Sequence, residues 1–478
     1  MNTYEAIIGL EIHAQLLTQS KAFCADSTTF GDEPNTNVSA ISLGHPGTLP
    51  KLNKKAVELA IKMGLATHCK IDRQCYFARK NYFYPDLPKG YQITQDKTPI
   101  CTDGYIEVKV GQTLKKIGIQ RIHLEEDAGK SIHDQDPFDT LIDLNRAGVP
   151  LIEIVSKPDM RSAQEAGAYI SEIRKIVRYL DICDGNMEEG SLRCDVNVSV
   201  RLQGESTFRT RCEIKNLNSI RNVERAIEYE IQRQIQIYQA GGIVEQETRN
   251  FDPISGTTSA MRTKETAHDY RYFPEPDLLP LQIDEEYIRQ IAAALPALPA
   301  QRYEKYIREF NLSDFEATTI TEQKEISDYF EALVKASNHP KQAANWVMGP
   351  IKTYLNETAT SITKFPLTPP QVAQIIELIL QNKISTTAAK EVVFPQMIKH
   401  PQLTALEIAT QHNVIQQSDT QAIKPLIEEI IQKFPAQVQE YKKGKKGVLG
   451  FLVGQVMKAS GGKANPKIVN QMMQEALQ

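Results

Sequence analysis

The stretch LRCDVNVSVR, residues 192–201, decides the character of the first half of the chain. Leu192, Cys194, Val196, Val198 and Val200 alternate with Arg193, Asp195, Asn197, Ser199 and Arg201. Successive side chains of a strand point to opposite faces, so one set packs on a core and the other forms a polar face. The same design recurs elsewhere. In IGLEIHAQL, Leu10, Ile12 and Leu16 alternate with Glu11, His13 and Gln15; in RIHLE, Ile122 and Leu124 alternate with Arg121, His123 and Glu125; in RCEIK, Cys212 and Ile214 alternate with Arg211, Glu213 and Lys215. A helical pattern follows over 223–242, apolar at Val223, Ala226, Ile227, Ile231, Ile235 and Tyr238, and stops at Gly241 and Gly242. It would back the apolar side of the sheet. Antiparallel strands with helices on one face predict an α+β domain, since the regular strand–helix alternation of a parallel sheet is missing.

The polar face carries carboxylates, imidazoles, amides and arginines, where a plain surface sheet carries mostly Thr, Lys, Glu and Ser. Glu11, His13, Glu125, Asp195 and Glu213 all fall on it. Packed together they could not all stay ionised without a metal to offset their repulsion. Mg²⁺ takes mostly oxygen ligands and keeps several waters, so a few carboxylates plus substrate phosphate would suffice. The competing reading is a solvated face whose acids pair with Arg121, Arg193, Arg201 and Arg211.

HLEEDAGKS, residues 123–131, sharpens the metal reading. It ends as a phosphate-binding P-loop ends, with Gly129, Lys130 and Ser131, but a P-loop also needs a glycine where Leu124 stands. Glu125, Glu126 and Asp127 fill the cradle instead, and carboxylates repel phosphate unless a divalent cation lies between them. The implied chemistry is carboxylate–Mg²⁺–phosphate without a Walker loop. Lys130 and Lys215 could hold phosphates or be solvated strand-end lysines. Asn145 and Arg146, in DLNRAGVPLIEIVS, sit at a Gly148–Pro150 turn and fit turn chemistry equally. The run HDYRYFPEPD, 268–277, suits either core packing or stacking on a nucleotide base or RNA end. The chain has no GxGxxG loop, GxSxG elbow, Ser-rich amidase signature or spaced Cys–His pair. If ammonia is a reactant, another chain must generate it.

A chain of 478 residues implies roughly two to four domains. The breaks fall at the prolines 274, 276 and 280 and again at Pro395 and Pro401, giving a sheet-rich domain at 1–283, a helical domain at 284–404 and a tail domain at 405–478. Its net charge of −4 gives no global signal for nucleic acid, so RNA binding would need a local patch. The tail offers one: Lys442, Lys443, Lys445, Lys446, Lys458, Lys463 and Lys467 stand against a single acid from Tyr441 onward, Glu475. Those lysines also fit a merely solvated face. No stretch is long and apolar enough for a membrane span, and the N-terminus lacks a signal peptide's basic region. Seven unpatterned cysteines point to reduced thiols in a cytoplasm.

At this point the motifs resemble a known family, the B subunits of the tRNA-dependent amidotransferases that make Asn-tRNA and Gln-tRNA (GatB/GatE). The segments that carry the likeness are IGLEIHAQLLTQSKAFC, LGHPGTLPKLN, KNYFYPDLPKGYQITQ, HLEEDAGKS, DLNRAGVPLIEIVSKPD, EEGSLRCDVNVSVR, EIKNLNSIRNVERAIEYE, TRNFD and DYRYFPEPDLLPL, with KKGKKGVLGFLVGQVMKASGGKANPKIVNQ at the end. The resemblance implies a glutamine-synthetase-like cradle, then a helical domain and a tRNA-binding tail. It implies a carbon–nitrogen ligase that phosphorylates the side-chain carboxylate of misacylated Asp-tRNA(Asn) or Glu-tRNA(Gln) with ATP. Ammonia from glutamine then displaces phosphate. The implied partners are an amidase (glutaminase) subunit and a small third subunit in a heterotrimer.

By the same resemblance, Glu11, His13, Glu125, Asp195 and Glu213 would hold Mg²⁺. Glu125, Glu126 and Lys130 are the expected catalytic residues and Asn145, Ser156, Lys215 and Arg271 the expected ATP contacts; since phosphoryl transfer is mostly positioning and charge neutralisation, Lys130 or Arg271 would offset charge on the γ-phosphate. Lys442, Lys443, Lys445, Lys446, Lys458 and Lys463 would bind tRNA. One departure matters: many members have a CxC and a CPxC that form a zinc site, and here those positions read Cys24-Ala25-Asp26 and Ser39-Ala40-Ile41-Ser42. With three of four thiolates missing, no structural zinc is expected. Two other classes compete: a non-catalytic tRNA-binding scaffold, and a tRNA-independent ligase for a small metabolite.

Overall fold

A computed structural model describes residues 3–263, 270–416, 420–461 and 464–477. The chain divides into two compact units, Met1–Pro299 and Ala300–Gln478.

The alternating stretches of the first unit form long strands. In chain order the strands begin with β1 (Tyr4–Gln15), β2 (Lys70–Ile71), β3 (Gln74–Cys75), β4 (Ala78–Asn81), β5 (Tyr91–Thr94) and β6 (Cys101–Val110). Then come β7 (Thr113–Glu126), β8 (Lys130–Ile132), β9 (Leu141–Asp143), β10 (Pro150–Ser156) and β11 (Leu192–Leu202). The last are β12 (Cys212–Leu217), β13 (Glu247–Asp252), β14 (Thr257–Thr263), β15 (Phe273–Pro274) and β16 (Leu281–Gln282). Among the described residues twelve of them make one sheet, in the order β14-β13-β12-β11-β1-β10-β7-β5-β4-β15, with β6 on β7 and β2 on β6. Paired strands run antiparallel except β12 and β13, which are parallel. A parallel pair needs a crossover, and α3 (Ile220–Gln239) supplies it.

The helices α1 (Lys54–Ala66) and α2 (Ala163–Tyr179) join α3 against the sheet, packing on β7, β6 and β11 respectively. The core between them holds the apolar set read from the alternation, including Leu10, Ile12, Ile122, Leu124, Cys194, Val196, Val198 and Ile214. Each such aliphatic side chain contributes about 1.5–3 kcal/mol over leaving it in water. The opposite face is therefore free to carry the polar set.

Two features depart from the simple pattern. On α3 the apolar stripe is buried at Val223, Ala226 and Ile227, but the next turns bury Glu230 and Gln234, while Ile231, Ile235 and Tyr238 are half-buried. Ion pairs make this possible: Arg233 and Arg249 meet the Glu230 carboxylate. The helix ends where the glycines stand, with Gly241 in the left-handed region and the N–H groups of Gly241 and Gly242 capping the carbonyls of Tyr238 and Ile237. The second departure is α4 (Glu285–Ala293), N-capped by Asp284, which packs on α1 and buries Ile291 in the first core. The first unit thus runs past residue 283.

The second unit is helical and contains two apolar clusters, one from Tyr306 to Ala409 and one from Ile423 to Leu477. The helix Ala405–Gln411 buries Ala405, Ile408 and Ala409 in the former. A sheet-rich N-terminal part and a helical C-terminal part make the chain α+β. Among the described residues no helix is long and apolar enough to cross a membrane. All seven cysteines are free thiols.

Candidate active site

The register of the central strands turns the polar face into ordered rows. Arg193, His13, Glu153 and His123 lie opposite one another across β11, β1, β10 and β7. One row along are Gln15, Leu151, Glu125 and Thr94; on the other side are Asp195, Glu11, Val155 and Arg121. Directly opposed residues of an antiparallel pair hold their Cβ atoms about 5 Å apart, so each row can make one cluster.

The central cluster is compact. The Nε2 atoms of His13 and His123 lie 3.4 and 3.3 Å from Glu153 Oε2, and His123 Nε2 is 3.6 Å from Glu125 Oε2. Glu125 accepts from Thr94 Oγ1 at 3.0 Å and from Gln92 Nε2 at 3.4 Å. One donor atom each from His13, Glu125 and Glu153 can be chosen within 4.8 Å of one another. Glu125, Glu153 and His123 are buried. Burial alone would raise the Glu153 carboxyl, but His123 and His13 hold it well below the usual carboxylate range. Glu125 is likewise held low, against burial, chiefly by Lys80 and His123. His123 shows the complement: burial works against its charge, yet Glu153 and Glu125 push it up to about 9.

This donor set fits a divalent cation. Two ionised carboxylates supply the hard oxygens that Mg²⁺ prefers, and phosphate and water could complete an octahedron. An imidazole third ligand is softer and would also suit a transition metal.

The flanking acids are neutralised within the protein. Glu126 pairs with Lys89 and accepts from Ile93 N at 2.8 Å. Asp127 accepts from Gln15 Nε2 and Arg193 NH2, both at 2.8 Å, with Arg146 Nε at 3.8 Å. The sequence-predicted Mg²⁺ residues therefore divide. His13 and Glu125 meet, together with Glu153. Asp195 and Glu213 gather instead on Lys215, whose Nζ is 2.5 and 3.7 Å from their oxygens. Glu11 lies opposite Asp195, two residues and about 7 Å along β1 from His13.

The remaining expected residues are spread more widely. Lys130 is exposed on the β8–β9 ribbon, opposite Asp143 and off the main sheet. Ser156 is buried, and its Oγ accepts from Leu10 N at 2.8 Å. Asn145 ties the 32–37 loop through Glu33 O and Asn37 N, each at 2.8 Å. Arg271 is exposed with φ +44°, and its carbonyl accepts from Asn81 Nδ2 at 2.9 Å. Around it Tyr82, Tyr84, Tyr270 and Tyr272 form a chain of edge contacts with centroids 5.8–6.2 Å apart. His268 and Asp269 lie outside the described residues.

In the tail, Lys442, Lys443, Lys445 and Lys446 cluster at the turn between helices Pro435–Lys442 and Val448–Ala459, and all are exposed. Lys458 stands at the far end of the second helix, about 16 Å away along its axis. Lys463 lies outside the described residues. At the positions where the resemblance puts zinc ligands, Cys24 Sγ is 3.4 Å from Ser42 Oγ, and the Asp26 carboxylate accepts from Ser42 Oγ and from Ser39 N.

Sequence reading missed Glu153 and Lys80 and left His123 out of the cluster. Glu153 had a signal: a lone acid inside the apolar run LIEIV is costly unless something pairs with it.

Fold and site together define a class, an antiparallel-sheet cradle with a buried, metal-competent acid–imidazole centre, followed in the chain by helical modules. Comparison with known proteins narrows it. The family model described as the GatB/GatE catalytic domain matches residues 6–289, and the GatB domain model matches 328–477. The B subunit of the aspartyl/glutamyl-tRNA(Asn/Gln) amidotransferase of Thermodesulfovibrio yellowstonii is 52% identical over 470 residues, 98% of each chain. Those of Geotalea uraniireducens and Nitratidesulfovibrio vulgaris are 51% and 49% identical, each over 477 residues, covering 99% and 100% of both chains. The chain belongs to the GatB/GatE family, the B subunits of the aspartyl/glutamyl-tRNA(Asn/Gln) amidotransferases. By their name, these relatives are subunits of a tRNA-dependent amidotransferase, a ligase-type enzyme of protein biosynthesis.

Proposed function

We propose that the chain uses ATP to phosphorylate the side-chain carboxylate of misacylated Asp-tRNA(Asn) and Glu-tRNA(Gln), and then transamidates the acyl phosphate to give Asn-tRNA(Asn) and Gln-tRNA(Gln). The observation that carries this reading is the His13–Glu125–Glu153 centre, with both its carboxylates buried, which lies inside the segment matching the catalytic domain. Ammonia comes from a partner amidase (glutaminase) subunit, with a small third subunit completing a heterotrimer in the cytoplasm. Free thiols throughout the chain suit that compartment.

His13, Glu125 and Glu153 would hold Mg²⁺, which when bound would neutralise charge on the ATP phosphates. The protein's own part is positional. Thr94 and Gln92 fix Glu125, and His123 lies between Glu125 and Glu153. The Lys89–Glu126 pair and the Asp127–Arg193–Arg146 cluster hold the strand end that carries Glu125. Lys215 and Arg271 are proposed nucleotide contacts, with Glu11, Asp195 and Glu213 around the former. Asn145 and Ser156 act through the loop and strand they tie down, and Lys130 through the ribbon beyond Glu126.

The test is reconstitution. The chain is combined with its amidase and small subunits, and Asp-tRNA and Glu-tRNA are supplied with glutamine and ATP. Amide formation that requires all of these is expected. If glutamine is hydrolysed but no tRNA-dependent ADP appears, the chain is a scaffold. ADP formation without any tRNA would indicate a small-metabolite ligase.

The tail lysines give a second expected result. A chain ending at Gln416, whose N–H is anchored on Lys383 O of the second cluster, loses the third cluster alone. Its KM for tRNA should rise about 10- to 100-fold and depend less steeply on salt than the parent's, because fewer phosphate contacts release fewer counterions, while ATP turnover at saturating tRNA is kept. Unchanged tRNA kinetics would make those lysines plain surface.

A further inference from the structure

The sheet places one more cation beside the acid centre. Lys80 lies on β4 opposite Gln92 of β5, and Thr94, two residues on, lies opposite Glu125. The pleat places Lys80, Gln92, Thr94 and Glu125 on one face, and Gln92 Nε2 touches both Glu125 Oε1 and the Glu126 carbonyl. The Lys80 ammonium sits 5.0 Å from the Tyr270 ring centroid and 5.9 Å from that of Tyr82.

Its partners are what distinguish it. Lys89 is engaged by Glu126, Lys215 by Asp195 and Glu213, and Arg193 by Asp127. Among the described residues no carboxylate lies within ion-pair distance of Lys80. Ring faces hold an ammonium by quadrupole attraction without cancelling its charge, whereas a carboxylate would cancel it. Lys80 feels the Glu125 carboxylate across the face but is tied up by no direct ion pair among the described residues, and such a positive charge beside the acid centre is what phosphoryl transfer can use, because charge spreads over the γ-oxygens as the bond shifts.

We propose that Lys80 is a catalytic residue of the phosphorylation step, its ammonium contacting the γ-phosphoryl oxygens in flight. This rests on the function proposed above. In that step a carboxylate oxygen of the aminoacyl side chain bonds to the γ-phosphorus. The bond from that phosphorus to the β,γ-bridging oxygen breaks, and ADP leaves with the electron pair. No proton moves, so Lys80 acts by charge alone. It takes the role that sequence reading gave to Lys130 or Arg271, both of which are exposed.

The test uses the assembled heterotrimer with Lys80→Met and Lys80→Arg, reading tRNA-dependent ADP formation without glutamine, hydroxylamine trapping of the acyl phosphate, equilibrium ATP affinity and the thermal midpoint. For Lys80→Met, ADP formation and trapped hydroxamate should both fall about 10²- to 10³-fold, with ATP affinity within about 3-fold and the midpoint unchanged. Lys80→Arg keeps the charge and should run at least about 10-fold faster than the methionine variant. Equal rates in the two variants, or ADP formation retained in Lys80→Met, overturn the proposal. So does a loss in both that follows the thermal midpoint. Glu125→Ala, assayed beside them, separates the two failures. If it too keeps ADP formation, the phosphorylation reading falls; if it is silent while Lys80→Met is active, only the Lys80 assignment falls.

Discussion

Replacing Glu153 by alanine is expected to abolish ATP-dependent amide formation, lowering the rate by on the order of 10³-fold or more, about 4 kcal/mol in the barrier. Glu153 is the hub of the site: both imidazoles point Nε2 at its Oε2, and Arg121 NH2 approaches Oε1 at 3.8 Å. Removing it takes one of two buried carboxylates from the centre and leaves His13 and His123 facing each other across β10. Glu153→Gln keeps the shape and loses the charge, so it should be as inactive while melting closer to the parent. Glutamine hydrolysis by the partner and tRNA binding should persist in both variants. Single-turnover formation of ADP and amide, read beside tRNA affinity, checks the result. Near-normal ADP release from Glu153→Gln would remove the His13–Glu125–Glu153 centre from the mechanism.

The second large effect concerns stability. Glu230 is fully buried on α3, and Arg233 holds it with Nε and NH2 at 2.9 and 2.7 Å. Gln234 Nε2 donates to it at 2.8 Å and Thr258 Oγ1 at 3.2 Å, while Arg249 Nε lies 3.5 Å away. Glu230→Ala would leave two guanidinium groups packed between α3, β13 and β14 with Glu247 as their remaining counter-charge. Breaking a buried pair by removing one partner costs about 3–5 kcal/mol, which for a domain of this size lowers the thermal midpoint by on the order of 10 °C. The pH dependence has a definite sign. Burial alone would raise the carboxyl, but Arg233, Gln234 and Arg249 hold it below the ordinary glutamate value. Its contribution is therefore complete above the unfolded pKa and is lost as pH falls through the depressed folded one. The gap in midpoint between the parent and Glu230→Gln should thus be wide at neutral pH and narrow in acid. A gap independent of pH would mean that shape, not charge, carries the effect.

The fold class and half of the central cluster were legible in the chain because strand alternation is local. Residues i and i+2 share a face whatever else happens, so Glu11, His13, Glu125, Asp195 and Glu213 could be put on the polar side from their neighbours alone. The glycines at 241 and 242 ended α3 for an equally local reason, the left-handed conformation of the first. Where the local rule failed, a distant partner supplied what the pattern lacked. Glu230 and Gln234 break the apolar stripe because arginines 233 and 249 and the Val198 carbonyl receive them. Glu153 hid in an apolar run because its partners come from β1 and β7, far off in sequence.

Its alternating strands, its family and the residue types on the polar face belong to the sequence by itself. Only the tertiary structure decided which acids meet. Register across β11, β1, β10 and β7 lines up Arg193, His13, Glu153 and His123, gives Asp195 and Glu213 to Lys215, and leaves Lys80 between two tyrosine rings. The reason is physical: alternation determines the face, but hydrogen-bond pairing between strands distant in the chain determines the rows, and electrostatics at 3–4 Å acts only among residues of the same or neighbouring rows.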